Sequence, residues 1–116
     1  MESKRFHIIY DLRNCNQKIN DQKAIREFIE GFVKVVNMSI LQGPVVAEGI
    51  PQNPGLSSFV IIDFSHISIH TFTKYNEALI DIFSCKEFDK LKAGQYCTEF
   101  FGVSTSDSRT KEVWWG

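Results

Sequence analysis

The sequence has no run of like charges, and its thirteen Lys and Arg nearly cancel its fourteen Asp and Glu. A nucleic-acid tract or a membrane-binding patch needs a basic excess, so neither nucleic acid nor a membrane is expected as a partner. No stretch approaches the roughly 18 apolar residues of a membrane helix, and Met1-Glu2-Ser3-Lys4-Arg5 has no long apolar segment behind its charges. The expectation is a soluble, cytoplasmic protein. Cysteine is scarce. Cys15, Cys85 and Cys97 lie far apart, in odd number and in no paired spacing, which argues against a disulfide framework and against zinc and leaves free thiols with no metal. A glycine-rich phosphate loop, a His-Glu-x-x-His pair and a glycine-flanked serine elbow are also missing, so phosphate, zinc and lipase-like chemistry have no motif.

What is present fits one domain, residues 1–116. A chain of that size buries a little over ~60% of the surface its unfolded form exposes, enough for one core. The ten phenylalanines read as core filling. Phe6 to Leu12 alternates as a strand, with Phe6, Ile8 and Tyr10 on one face and His7, Ile9 and Asp11 on the other. His7 reads as an edge or surface residue. From Asn20 the period lengthens: Ile25, Phe28, Ile29, Phe32 and Val36 form a helical stripe over about 21–37, with Asn20 or Asp21 as cap. Ser39 to Gly49 is strand-like and interrupted by Gly43-Pro44, which gives an irregular or bent strand because proline cannot donate to a ladder. Ile50 to Gly55 concentrates turn formers and reads as the longest loop within the domain.

Ser58 to Phe64 carries a nearly continuous apolar run, the pattern of a strand covered on both faces. Beyond Ser65 the alternation is clean, with Ile67, Ile69 and Thr71 on one face and His66, Ser68, His70 and Phe72 on the other. After a turn at Thr73 to Glu77, Ala78 to Phe83 is another strand. Ser84-Cys85-Lys86-Glu87 has the form of a capping box, placing a helix from about Cys85 or Lys86 to Phe101, through Phe88, Leu91 and Cys97, with Gly102 as its stop. Lys111 to Trp115 is a final edge strand. The fold class is α/β (α+β): a two-layer sandwich of a mostly antiparallel sheet with helices on one face.

Chemistry concentrates between Ser57 and Cys85. Taken alone, Ser65 is a turn residue, His70 a strand histidine and Cys85 a buried thiol, and Cys15 and Cys97 are structural. Strict alternation puts Ser65 and His70 on opposite faces, so a bulge or bend near Ser65 is required to bring them together. The stretch from Val60 to Thr71, with Ser-His-Ile-Ser-Ile-His-Thr at its centre, followed by Asp81-Ile82-Phe83-Ser84-Cys85 and preceded by Gly55-Leu56-Ser57, resembles the core of the small prokaryotic S-adenosylmethionine decarboxylases. The resemblance extends over nearly the whole chain.

That resemblance implies a self-processing, pyruvoyl-dependent enzyme of polyamine (spermidine) synthesis. The Ser65 hydroxyl attacks the Phe64 carbonyl, the chain divides there, and residue 65 becomes the pyruvoyl cofactor in place of pyridoxal phosphate. Ser57 and His70 assist processing, and Cys85 donates a proton in turnover. The pyruvoyl carbonyl forms an imine with the substrate amine and withdraws electrons as carbon dioxide leaves. An imidazole exchanges protons near neutrality, and a thiol at a helix start gives up its proton more readily. A homodimer with sites near its interface is also implied.

The sequence departs from the family pattern in three places. Phe64 stands where the family has glutamate, Phe72-Thr73-Lys74 replaces Trp-Pro-Glu, and Ile50-Pro51-Gln52 lacks the aromatic residue that would stack on adenine. Phe72 is left as the substrate-contacting ring. Two alternatives therefore stand beside the first reading: a pyruvoyl-dependent arginine or ornithine decarboxylase, and an unprocessed homologue serving as a binding or regulatory subunit.

Overall fold

The structure is a computed structural model that describes residues 4–115; Met1 to Ser3, part of the amino-terminal segment read above, lie outside it. The order is β1 (Arg5–Leu12), α1 (Gln22–Val35), β2 (Ile40–Ile50), β3 (Asn53–Ile62), β4 (Ser65–Phe72), β5 (Glu77–Ser84), α2 (Lys90–Phe101) and β6 (Ser108–Trp115). Short 3-10 turns at Gln17–Asn20 and Thr105–Asp107 precede α1 and β6. All strand pairings are antiparallel, in the order β2-β3-β4-β5-β1-β6.

One face of this sheet is the core. Ile8, Tyr10 and Leu12 of β1, Val60 and Ile62 of β3, Ile67 and Ile69 of β4, and Ile80 and Ile82 of β5 are buried beneath the helices. The α1 stripe supplies Ile25, Phe28, Ile29, Phe32 and Val33, and α2 supplies Ala93, Cys97 and Phe101. Phe28 is the hub of the helix-helix seam, with ring centroids 5.3 Å from Tyr96, 5.2 Å from Phe100 and 4.9 Å from Phe101. Asp21 caps α1 by accepting from the N–H groups of Lys23 and Ala24. Each buried large side chain contributes about 1.5–3 kcal/mol against roughly 1 for a cap, so the stripe holds α1 and the cap sets its start.

The fold departs from several expectations. The turn formers after Ile50 do not make a long loop: Asn53 already pairs with Ile50, so β2 and β3 are one hairpin. His7 lies on β1 between β5 and β6, an interior strand. Helix α2 starts at Lys90, and its cap is Asp89, whose carboxylate accepts from the N–H of Lys92. Ser84 ends β5 fully buried, its hydroxyl donating to the Lys86 carbonyl and accepting from the Lys86 N–H. A buried strand end therefore imitates the capping pattern, and Leu91 is largely exposed.

Among the described residues the other sheet face carries no helix. Phe59 is 41% and Ile61 40% exposed, so the apolar run in β3 is not covered on both sides within this chain. On this open face Phe59 stacks on His66 (5.3 Å between centroids), and His66 stacks on Phe83 (5.7 Å). Core filling thus accounts for only some of the phenylalanines.

Candidate functional site

The β3–β4 hairpin sets the positions of Ser57, Phe64, Ser65, His70 and Phe72, and the end of β5 sets that of Cys85. Strand β3 stops at Ile62, Asp63 and Phe64 form the turn, and Ser65 opens β4 opposite Ile62 and Ser84. Asp63 ties the turn to the start of β2, its N–H donating to the Ser39 carbonyl and its carboxylate accepting from the Ser39 N–H, both at 3.0 Å. Ser65 is half-buried with φ of 141°, a conformation that residues other than glycine adopt at a cost of about 1–3 kcal/mol. The Phe64 carbonyl accepts from the Cys85 N–H at 3.0 Å. Cys85 itself is exposed and lies before the start of α2 at Lys90, not at a helix amino terminus as expected.

A second cluster lies farther along the same hairpin. Ser57 and His70 are register partners, and Ser57 Oγ is 2.8 Å from His70 Nδ1, the tautomer of the imidazole deciding which of them donates. They line a shallow cavity of about 170 Å³ with Val45, Ala47, Phe59 and Ser68, on the open face. Phe72, half-buried, is two residues beyond His70 on the same strand.

The structure brings together Phe64 with Cys85, and Ser57 with His70. It does not bring Ser65 to His70. The pairing of β4 with β3 and β5 runs without a register shift from Ser65 onward, so the expected bulge is absent. Five residues of unbroken strand separate the two by roughly 17 Å.

The sequence reading missed one pair on this face. His7 Nε2 lies 2.9 Å from both carboxylate oxygens of Asp81, and the imidazole packs edge-on against Phe83. The signal was long-range: His7 and Asp81 are diagonal neighbours in the β1–β5 register. The remaining thiols are buried in the core. Burial pushes Cys15 up to about 11 and raises Cys97 well above its ordinary value, so both stay protonated and unreactive near neutrality. Among the described residues no group of three or more His, Cys, Asp or Glu converges as a metal site. No described helix is long and apolar enough to cross a membrane.

Comparison with known proteins adds independent information. Residues 6–113 match the family model described as S-adenosylmethionine decarboxylase. The S-adenosylmethionine decarboxylase proenzyme of Thermodesulfovibrio yellowstonii is 34% identical over 98 residues, covering 82% of this chain and 70% of that protein. The proenzyme of the same name from Geobacillus kaustophilus is 31% identical over 110 residues, covering 93% and 86%. The crystal structure of the adenosylmethionine decarboxylase from Aquifex aeolicus superposes with a TM-score of 0.79 at 26% identity, covering 97% of this chain and 91% of that one. With the two-layer antiparallel fold and a family match over nearly the whole chain, this protein belongs to the S-adenosylmethionine decarboxylase family, whose members are pyruvoyl-dependent decarboxylases made as proenzymes.

Proposed function

We infer that this chain, acting as one domain in the cytoplasm, divides itself between Phe64 and Ser65 and then decarboxylates S-adenosylmethionine for spermidine synthesis. The observation that carries this reading is the Ser65 junction: a hydroxyl-bearing residue in a strained backbone, directly after a carbonyl that accepts from the Cys85 amide. That amide stabilises negative charge developing on the Phe64 oxygen as Ser65 Oγ attacks, the work of an oxyanion-hole donor. Breaking the bond at Ser65 also releases the backbone strain.

The steps balance. Ser65 Oγ forms an ester with the Phe64 carbonyl carbon as the carbon–nitrogen bond between the residues breaks. Loss of the Ser65 Cα proton then breaks its Cβ–Oγ bond, leaving Phe64 as a carboxylate. A proton returns to Cβ of the resulting enamine to give the imine, water displaces the imine nitrogen as ammonia, and a pyruvoyl group with Cβ as its methyl remains. The half-buried Ser65, with the Phe64 carbonyl already polarised, fits the formation of this group. Once formed, the pyruvoyl group supplies a ketone that condenses with the substrate amine and accepts electrons as carbon dioxide departs. The exposed Cys85 thiol returns a proton to the carbon left behind, and Phe72 offers a ring to the purine, worth roughly 1–3 kcal/mol.

Cys85→Ala separates these roles. Alanine keeps the backbone N–H that holds the Phe64 carbonyl, so fragment yield by denaturing mass spectrometry stays near that of the parent protein. Turnover, read as carbon dioxide release, falls by about 10²–10⁴-fold. Loss of cleavage in this variant would assign the thiol to processing instead.

Ser57 and His70 are too far from Ser65 of their own chain to assist it, and the open face beside them exposes Phe59 and Ile61. A homodimer that pairs these open faces supplies the Ser57–His70 pair of each chain to Ser65 of the other. Coexpression of Ser65→Ala with His70→Ala tests this. Neither variant divides efficiently alone, whereas in the mixture the His70→Ala chain receives a histidine from its partner and divides. A His70→Ala chain that stays intact in the mixture overturns the shared site. Carbon dioxide release from S-adenosylmethionine but not from arginine or ornithine fixes the substrate.

A further inference from the structure

Resting on the self-cleavage reading, we propose that Lys86 is the anchor for the carboxylate that division creates on Phe64, holding the new chain end in the turn. The Lys86 Nζ lies 5.0 Å from the centroid of the Phe64 ring and donates to the Asn37 carbonyl at 3.1 Å. An ammonium has three N–H donors, so two remain for another acceptor. The backbone of Lys86 is itself fixed, because the buried Ser84 hydroxyl bonds both its N–H and its carbonyl.

Division changes the charge of this turn. Before it, the Phe64 oxygen is a neutral carbonyl and Asp63 is the only acid among residues 62–65. Afterwards Phe64 carries two oxygens, its own and the former Ser65 Oγ, and one negative charge next to Asp63. The Cys85 N–H already points at the first oxygen, and among the described contacts Lys86 is the one cation touching the turn. A charge-assisted hydrogen bond from Lys86 offsets the repulsion and keeps residue 64 from fraying, which the loss of the peptide bond to residue 65 otherwise permits.

The test uses carboxypeptidase A, which trims an accessible carboxyl-terminal phenylalanine. In the divided parent protein Phe64 is lost slowly; in Lys86→Met, which keeps the stem over the ring but not the charge, it is lost about fivefold faster. Such a factor corresponds to about 1 kcal/mol, the scale of a half-exposed ion pair. Lys86→Arg protects like the parent. Thermal melting supplies the control: Lys86→Met lowers the midpoint of the divided protein by about 4 °C more than it lowers that of the undivided Ser65→Ala background, where the ammonium holds only the Asn37 carbonyl and the Phe64 ring. Equal trimming of parent and Lys86→Met, or an equal drop in both backgrounds, overturns the anchor while leaving self-cleavage intact. A parent chain that never divides overturns both, and its intact mass identifies that outcome before trimming begins.

Discussion

Replacing Ser65 by alanine leaves one polypeptide of about 13.3 kDa and no decarboxylase activity, while the parent chain divides into residues 1–64 and 65–116. The effect is all-or-none because one oxygen does two things: it carries the acyl group of Phe64, and its departure turns residue 65 into the electrophile. Without Oγ neither step has a substitute, so turnover drops to the uncatalysed background, a loss of at least about 10⁶-fold. Folding is not at stake. Alanine meets the positive φ on the same terms as serine, and the β3–β4 and β4–β5 pairing of residue 65 is made by its backbone. The Ser65→Ala protein should therefore melt within a few degrees of the parent, and denaturing mass spectrometry with carbon dioxide release gives the result. Division of the alanine variant would move the scissile bond elsewhere, and a parent that stays whole and inert would leave the binding-subunit reading.

The second large effect lies at Gly55, in β3 just beyond the Ser57–His70 pair, where the strand packs against the Thr71 backbone of β4. Its φ is 154°, and a Cβ there would overlap the Thr71 carbonyl oxygen, a backbone atom that cannot swing aside. Gly55→Ala combines backbone strain of about 1–3 kcal/mol with overpacking of about 1–3 kcal/mol, roughly 4 kcal/mol together. For a domain of this length that lowers the melting midpoint by about 15 °C. The damage reaches the site. Thr71 Oγ1 accepts from the Leu56 N–H at 2.8 Å and donates to the Ile19 carbonyl at 3.0 Å, and the Ser57–His70 rung is the next residue along. Spreading the strands at Gly55 opens that rung, so fragment yield falls along with stability. A Gly55→Ala protein as stable as the parent would mean that the strands do not approach in this way.

Much of the molecule was legible from local pattern. The three- and four-residue steps of Ile25, Phe28, Ile29 and Phe32 gave α1 its buried face, and the alternation from His66 to Thr71 gave β4 its two sides. Other signals misled for physical reasons. Ser84 to Glu87 carries the letters of a capping box, but capping needs a free hydroxyl beside a starting helix. Ser84 is sealed under the sheet, and Asp89 takes the role five residues on. The apolar run through Phe59 and Ile61 suggests cover on two sides, yet both helices are committed to the other face.

The sequence by itself determined the helical and strand periods, the hydroxyl at Ser65 with its neighbouring histidines, and the family motif, because these depend on residue type and short spacing. The tertiary structure decided which groups meet. A strand converts five residues of spacing into a long distance while its neighbours close gaps of a dozen or more, so Ser57 joins His70 and Cys85 joins Phe64 as Ser65 and His70 part. Register, not proximity in sequence, divides the candidate site into two halves on one chain.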